Sequence, residues 1–254
     1  MRYAFKVAYD GTRYFGFARQ PGLPTVEGEL LKALKECGLC HDPAEARYHV
    51  AARTDRGVSA MGQVVALDVL KRPNTSAINA HLPDDISILS TTEVQLSFDP
   101  WRMALRKHYR YKCRAPEGFD LKNARDAAKL LLGAHDFWSF CKHDQGKPTL
   151  GELEQVKISE RKILTFDFVA PAFLWQQVRR MVGALLMVGV GKFALEDFKL
   201  MLEQQIDHLP RPAPSDGLVL VHVEYRGISF ENQRISKRYA NLLKRIQAKK
   251  STYH

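Results

Sequence analysis

The sequence predicts an α+β protein, in which strand and helix patterns alternate but several strand pairs are joined without a helical crossover. Strand-like alternation at 47–52 and 63–69, and paired strands within 153–169, are separated by connections too short for the crossover that a parallel pair requires. A chain of 254 residues, 45% of them hydrophobic, can bury a substantial core. We therefore expect antiparallel or mixed sheets, in either two compact lobes of roughly 100–130 residues or one large domain.

The first hundred residues contain patterns for four strands and two helices. Strands are expected at 3–9, 47–52, 63–69 and 86–95. Thr25 is a suitable N-cap for a helix whose apolar positions share one face and that Gly38 ends. A second helix is expected at 77–81, and the residues from Thr54 to Gly62 are expected to form a loop.

The second half has the same mixture without repeating the sequence. Strands are expected at 109–114, within 153–169 and at 219–225, and helices at 121–132, 176–188 and 195–204. Gly133 is placed to end the first of these helices. Because Pro100 interrupts the pattern, we expect an N-terminal α+β lobe over 1–100 and a C-terminal α+β lobe over 101–230.

Residues 231–254 are expected to form a basic amphipathic helix. After Arg234 the segment carries six further cationic side chains, while Ile235, Tyr239 and Leu242 fall on one helical face. Two interpretations stay open, a terminal helix docked on the protein and an arm that binds RNA.

Composition favours a polyanionic partner. The chain has 38 Lys and Arg against 28 Asp and Glu, a net charge of +10, and neutralising phosphates releases condensed counterions. No apolar stretch approaches the length of a membrane helix, and Met1–Lys6 leads directly into a strand rather than a secretion signal. Four cysteines are too few for a disulfide framework, so we expect a cytoplasmic protein.

The segment 52–60 has the densest polar chemistry in the chain. Arg53 and Arg56 flank Asp55, and nearby positive charge keeps a carboxylate ionised. Arginines also bind phosphates and stack on bases. The competing interpretation is a turn whose charges are solvated.

Two further segments mix aromatic and basic residues, as in surfaces that bind single-stranded RNA. The first, 9–20, contains Arg13, Tyr14 and Arg19; a core position is the alternative for Tyr14. The second, 106–112, contains Arg106 and Lys107, and strand alternation places its tyrosines on one face and its basic groups on the other. An ordinary amphipathic strand is the alternative here.

Taken together, these segments resemble the TruA-type tRNA pseudouridine synthases. The resemblance rests on motifs whose order and spacing extend over most of the chain. They are Tyr9-Asp10-Gly11 with Gly16, Arg53-Thr54-Asp55-x-Gly57-Val58 with Gly62-Gln63-Val64, Asn79-Ala80-x-Leu82-Pro83-x-Asp85-Ile86, Tyr109-x-Tyr111, Leu132-Gly133-x-His135-Asp136-Phe137-x-Ser139-Phe140, Val178-Arg179-x-Met181-Val182-Gly183, Ala213-Pro214 and Gly217-Leu218. Arg56, Ser59, Phe17, Gln176 and Gln177 depart from the common pattern of the family.

The resemblance implies a reaction that breaks the bond between ribose C1′ and uracil N1, turns the base and joins C1′ to C5. This isomerisation needs no cofactor and no metal. Asp55 matches the catalytic aspartate, which either attacks C1′ or removes the 2′ proton. Tyr109 matches the active-site tyrosine, Arg179 the arginine that pairs with the carboxylate, and Arg53 the arginine that fills the place of the flipped base.

The resemblance also implies the pseudouridine synthase fold, with two lobes that each contain an antiparallel or mixed sheet flanked by helices and that enclose a basic central cleft. The implied partner is tRNA, the implied assembly is a homodimer, and the implied targets are uridines at positions 38–40 of the anticodon stem-loop. The rival functions are a non-catalytic RNA-binding protein on the same scaffold and a hydrolase that releases the base. Cys37 and Cys40 have a metal-like spacing, but we expect them to act as small hydrophobic residues. Asp84 and Asp85 are expected to lie in a solvated turn.

Overall fold

The structure is a computed structural model that describes residues 1–143, 146–206, 209–230 and 237–252. In chain order its elements are β1 (Arg2–Tyr9), α1 (Val26–Glu36), β2 (His49–Val50), β3 (Ser59–Asp68), α2 (Thr75–His81), β4 (Ile86–Val94), β5 (Ala104–Cys113), α3 (Leu121–Leu130), β6 (Gly133–Asp136), β7 (Leu150–Leu153), β8 (Gln155–Glu160), β9 (Leu164–Ala170), α4 (Gln177–Gly189), α5 (Leu195–Leu202), β10 (Leu218–Tyr225) and α6 (Lys237–Ala248). The predicted α+β class is confirmed.

The chain divides into two compact units. Unit 1 comprises Met1–Leu105 and Val219–Lys249, and unit 2 comprises Arg106–Leu218 with the last residues from Lys250. The sequence-based boundaries put 219–230 with the second half, whereas the structure groups β10 with unit 1 because β10 pairs in parallel with β3. The predicted central cleft stays a prediction.

In unit 1, a mixed sheet has the strand order β4-β1-β3-β10, with β2 beside β3. β1 is antiparallel to both neighbours, so that Tyr3 lies opposite Leu67 on one side and Glu93 on the other. Its side chains are almost all buried, which fits a strand covered on both faces. One cover is α6, whose Leu242 and Ile246 pack against Ala8 and Val219.

In unit 2, the strands β5, β9 and β8 form an antiparallel series, and β6 pairs with β7. The helices α3, α4 and α5 pack with each other around buried phenylalanines such as Phe140 and Phe198, whose ring centroids are 5.3 Å apart. Gly183 allows α4 to approach the chain at Arg211, because a Cβ there would lie 2.1 Å from the Arg211 carbonyl oxygen. This approach brings α4 against the segment that ends at Ala213.

The predicted elements are present, with four main differences. β5 begins at Ala104 rather than at residue 109, and β2 covers only His49–Val50 of the expected 47–52. The β6–β7 pair was not predicted, and β3 begins at Ser59, earlier than the expected start at residue 63. Gly62 interrupts the apolar alternation, yet it lies inside the strand. A Cβ at this position would be 2.7 Å from the Val221 carbonyl oxygen, so the position has no room for a side chain. The glycine therefore permits close strand packing rather than ending the strand.

The predicted tail helix is present as α6, which begins at Lys237. Arg234 and Ile235, with which the prediction began, lie outside the described residues. Over the part of the chain that is described, no helix combines the length and apolar character needed to cross a membrane.

Candidate active site

Asp55 lies in a short loop that leads into β3, and the loop is anchored to buried polar side chains. The hydroxyls of Thr54 and Tyr9 are 2.7 Å apart, and the amide nitrogen of Gln63 donates to the Ala52 carbonyl at 2.6 Å. Burial raises the pKa of Tyr9 to about 12, so its hydroxyl stays neutral and able to hydrogen-bond at physiological pH. Because Tyr9 and Gln63 sit on adjacent strands of the sheet, the start of the loop is fixed to the core of unit 1.

Two glycines allow the segment 11–17 to press against the same loop. The Gly11 amide donates to the Ser59 hydroxyl at 3.0 Å, and a Cβ on Gly11 would lie 1.9 Å from the Val58 carbonyl oxygen. Gly16 has a φ of +108°, and a Cβ there would be 3.2 Å from the Thr54 carbonyl oxygen. Side chains at these positions would displace the loop, which explains why the first motif of the resemblance contains glycines.

The side chains around Asp55 differ in how they are held. Asp55 is half-buried and Val58 donates to its carbonyl at 3.1 Å. The Arg56 guanidinium lies 4.2 Å from the centre of the Phe15 ring, a cation–π contact, and Arg53 is exposed. The arrangement leaves a carboxylate and two arginines on one anchored loop, as the sequence predicted for 53–56.

Arg13 and Tyr14, two predicted RNA contacts, both bind the carboxylate of Asp85. Arg13 Nε donates to one carboxylate oxygen at 2.8 Å and the Tyr14 hydroxyl donates to the other at 2.7 Å. Asp85 is only 4% exposed, so the prediction of a solvated turn is wrong for this residue, although it holds for Asp84. Tyr14 is also buried, and its ring presents no free face in this structure. Arg19 instead lies 3.6 Å from Glu27 and remains largely exposed.

The C-terminal helix binds the same region through its basic side chains. Lys249 Nζ lies 2.6 Å from the Asp10 carboxylate and 2.6 Å from the Thr12 hydroxyl. Arg238 donates to the carbonyls of Asn79 and Leu82, each at 2.6 Å, and also to those of Pro83 and Ile86. Of the two interpretations of the basic tail, docking on the protein describes α6.

The pKa of Asp10 records this contact. Partial burial alone would raise the pKa of the carboxyl, but hydrogen bonds from Lys249 and Thr12 outweigh it and leave the pKa below its usual range. Asp10 also accepts from the backbone amide of Thr12 at 3.1 Å and so caps the turn that contains Gly11. Lys249, from the C-terminal part of unit 1, thus holds the turn that packs against the Asp55 loop.

Tyr109 lies on β5 in unit 2. It is 8% exposed, and its ring meets that of Phe173 edge to face, with 5.1 Å between centroids. Tyr109 and Tyr111 point to the buried face of β5, as the alternation predicted. Lys107 shares that face and is only 3% exposed, so the prediction that the basic groups of 106–112 lie opposite the tyrosines is wrong for this residue. Lys107 precedes Tyr109 by two positions, and strand alternation puts such residues on the same face.

The opposite face of β5 carries basic side chains that are paired with acids. Arg106 Nε lies 2.5 Å from Glu154, while His108 and Arg110 both contact Asp167, at 2.6 and 2.7 Å. Burial alone would raise the pKa of Asp167, but these two contacts lower it overall. Asp167 lies on β9, which a local sequence pattern does not place beside β5.

Arg179 lies in the first turns of α4 and is fixed to the segment near Ala213. Its Nε donates to the Ala213 carbonyl at 2.8 Å, and the Ala213 amide donates back to the Arg179 carbonyl at 2.9 Å. Gln177, at the start of the helix, is buried and accepts from the Leu174 amide at 2.8 Å. The guanidinium is therefore held at a defined position on a rigid helix.

No group of three or more His, Cys, Asp or Glu side chains suited to a metal ion occurs among the described residues. Cys37 and Cys40 are free thiols, and burial raises the pKa of each above its usual value.

Proteins of known name are similar to this chain over most of its length. A family profile described as tRNA pseudouridine synthase matches residues 127–226. The chain is 42% identical over 235 residues to tRNA pseudouridine synthase A of Thermococcus kodakarensis, covering 91% of this chain and 87% of that protein. It is 38% identical to the protein of the same name from Methanothermobacter thermautotrophicus, covering 94% and 88%.

Similarity to solved structures is lower. A crystal structure of pseudouridylate synthase is 13% identical with a TM-score of 0.34, covering 72% of this chain and 57% of that one. The long matches to the curated proteins, at identities well above 30%, decide the assignment. The chain belongs to the family of TruA-type tRNA pseudouridine synthases.

Proposed function

We propose that this protein isomerises uridine to pseudouridine in tRNA. The observation that carries the proposal is the 36–42% identity to proteins named tRNA pseudouridine synthase A over most of both chains. The anchored loop with Asp55 supports it, because a carboxylate that acts at a sugar carbon must be held in place before the substrate arrives.

The proposed roles follow the resemblance. Asp55 acts at the ribose, either on C1′ or on the 2′ proton, and Arg179 orients this carboxylate. Tyr109 stacks on the extruded uracil and assists removal of the C5 proton. Arg53, which is exposed on the Asp55 loop, takes the place of the flipped base.

Finer features belong to the same proposal. We infer that the target uridines lie at positions 38–40 of the anticodon stem-loop and that the enzyme works as a homodimer, both as the family resemblance implies. A cytoplasmic location agrees with four free thiols, which a reducing compartment preserves.

Tritium release tests the proposal directly. Unmodified tRNA transcripts carrying tritium at uracil C5 lose it when C5 joins the ribose. We expect the wild-type protein to release tritium and Asp55→Asn to slow release by on the order of 10⁴-fold, because the variant loses the reacting carboxylate but keeps its shape. Primer extension after carbodiimide treatment then locates the modified uridine.

Glu45→Gln is a matched control, because it also removes one carboxylate from unit 1 but at an exposed position. It should release tritium at the wild-type rate. Full activity of Asp55→Asn would contradict the catalytic role. If wild type binds tRNA without releasing tritium, the non-catalytic RNA-binding function takes its place, and release of free uracil would indicate a hydrolase.

A further inference from the structure

Unit 2 exposes two tryptophans, each in contact with a basic side chain. Trp138 and Trp175 are 45% and 48% exposed, although large aromatic side chains are usually buried. The His143 ring stacks on Trp138 with 3.5 Å between centroids and an angle of 27°. Lys142 Nζ lies 3.9 Å from the centre of the Trp175 ring.

The backbone joins these pairs into one surface. The Lys142 amide donates to the Trp175 carbonyl at 2.8 Å, and His143 Nε2 lies 2.8 Å from the Trp138 carbonyl. The chain from Trp138 to His143 therefore runs beside the segment that contains Trp175. We name these four residues, Trp138, Lys142, His143 and Trp175, the tryptophan surface.

The tryptophan surface is connected to Tyr109 through the short segment that contains Phe173 and Trp175. Phe173, two residues before Trp175, makes the edge-to-face contact with Tyr109 at 5.1 Å. A cavity of about 220 Å³ lies along the same segment and is lined by Phe173, Leu174 and Gln177. An extended ligand on the surface would thus lead toward the residue that we propose stacks on uracil.

Resting on the proposed function, we propose that the tryptophan surface binds single-stranded RNA next to the target uridine. Exposed indole faces stack on bases of any sequence, and the adjacent ammonium group neutralises a backbone phosphate. Extruding a uridine unstacks its neighbours, and a stacking surface connected to Tyr109 through Phe173 would offset part of that cost. The basic partners, in a chain of net charge +10, favour a polyanion over an apolar protein partner.

Equilibrium binding of an unmodified tRNA transcript, measured by filter binding, tests this surface without requiring catalysis. Trp138→Ala and Trp175→Ala should each weaken the Kd about tenfold, within the range measured for loss of one base stack. Trp175→Phe should retain most of the affinity, because phenylalanine preserves an aromatic face. At subsaturating tRNA, the rate of tritium release should fall together with the affinity, because less tRNA is bound.

Salt dependence separates stacking from charge. Lys142→Gln should reduce the slope of log K against log salt by just under one unit, whereas Trp175→Ala should leave the slope unchanged. Trp101→Ala is the matched control, because Trp101 is 59% exposed but does not belong to the tryptophan surface. Its Kd should equal that of wild type.

Two results would overturn the inference. One is a double variant, Trp138→Ala with Trp175→Ala, that stays folded by circular dichroism and binds tRNA with the wild-type Kd. The other is a double variant whose sedimentation shows a changed oligomeric state at unchanged Kd, which would assign the surface to a second copy of the chain. If the wild-type protein releases no tritium, the proposed function is contradicted. The binding measurements would still show whether the tryptophan surface contacts tRNA.

Discussion

The two units use their basic side chains differently. In unit 1, the cations near the Asp55 loop are engaged within the protein: Arg13 binds Asp85, Arg19 lies beside Glu27, and Lys249 binds Asp10. In unit 2, the strand β5 shows similar pairing, but Lys142 and His143 lie against exposed indole rings instead of carboxylates. A basic residue can therefore be paired with a carboxylate or lie against an aromatic ring, and the sequence around it does not show which.

Among the ion pairs of unit 1, those that involve a buried carboxylate contribute most to the stability of the protein. An exposed ion pair such as Arg19–Glu27 contributes little to stability. Asp85 is different, because a buried carboxylate without its donors would be strongly unfavourable. We therefore expect unit 1 variants to change stability or loop position, and the tryptophan variants of unit 2 to change RNA affinity.

Gly11→Ala should give the largest effect. The added methyl group would lie 1.9 Å from the Val58 carbonyl oxygen, so the Asp55 loop must move. We expect a loss of about 3 kcal/mol in the free energy of unfolding and a fall in kcat of at least about tenfold. Denaturant unfolding and single-turnover tritium release measure the two quantities.

Gly22→Ala provides the comparison for that variant. Gly22 has a φ of +71°, but no atom lies within 4 Å of the added Cβ. The variant should lose about 1 kcal/mol from backbone strain and keep its kcat. Equal kcat in both variants would show that the 11–17 segment does not position Asp55.

Arg238→Ala should give an intermediate effect on stability. It removes the donor to several backbone carbonyls near the α2–β4 connection, and we expect a loss of about 2 kcal/mol in the free energy of unfolding. The Kd for tRNA should stay unchanged, because the guanidinium already binds the protein. Lys244→Ala removes the same charge from an exposed position of α6 and should change stability by less than about 0.5 kcal/mol. If Arg238→Ala instead weakens tRNA binding without any loss of stability, α6 acts as an arm that binds RNA.

Tyr14→Phe should give the smallest effect. It removes one hydrogen bond to Asp85, at 2.7 Å, while Arg13 still binds that carboxylate, so we expect a loss of about 1 kcal/mol. Thermal unfolding detects this loss. A Kd for tRNA about tenfold weaker than wild type would instead support the stacking role that the sequence suggested for Tyr14.

Much of the fold could be predicted because its signals are local. Thr25 accepts from the Gly28 amide at 3.2 Å, as expected of an N-cap, and α1 ends just before Gly38, which has a φ of +63°. Helix caps and side-chain periodicity depend on residues within a few positions of each other, so a single sequence contains them.

The site was less predictable because its contacts are distant in sequence. Arg13 and Asp85 are 72 residues apart, and Arg110 and Asp167 are 57 apart, so no local pattern pairs them. Lys107 is a different case: it was expected on the face of the basic groups, although its spacing of two residues from Tyr109 puts it on the buried face. The motifs of the resemblance indicated Asp55, Tyr109 and Arg179, whose catalytic roles remain predictions.

Unit 1 is assembled from both ends of the chain, and this has a consequence during synthesis. Residues 106–218 leave the ribosome as one continuous stretch, but β10 and α6 follow them. At about 5–20 residues per second, the N-terminal strands wait on the order of ten seconds while Ser59 and Ala60, at the start of β3, lack their partner strand β10. Exposed strand edges favour aggregation, so nascent chains of this protein are expected to need a chaperone until Lys249 reaches Asp10.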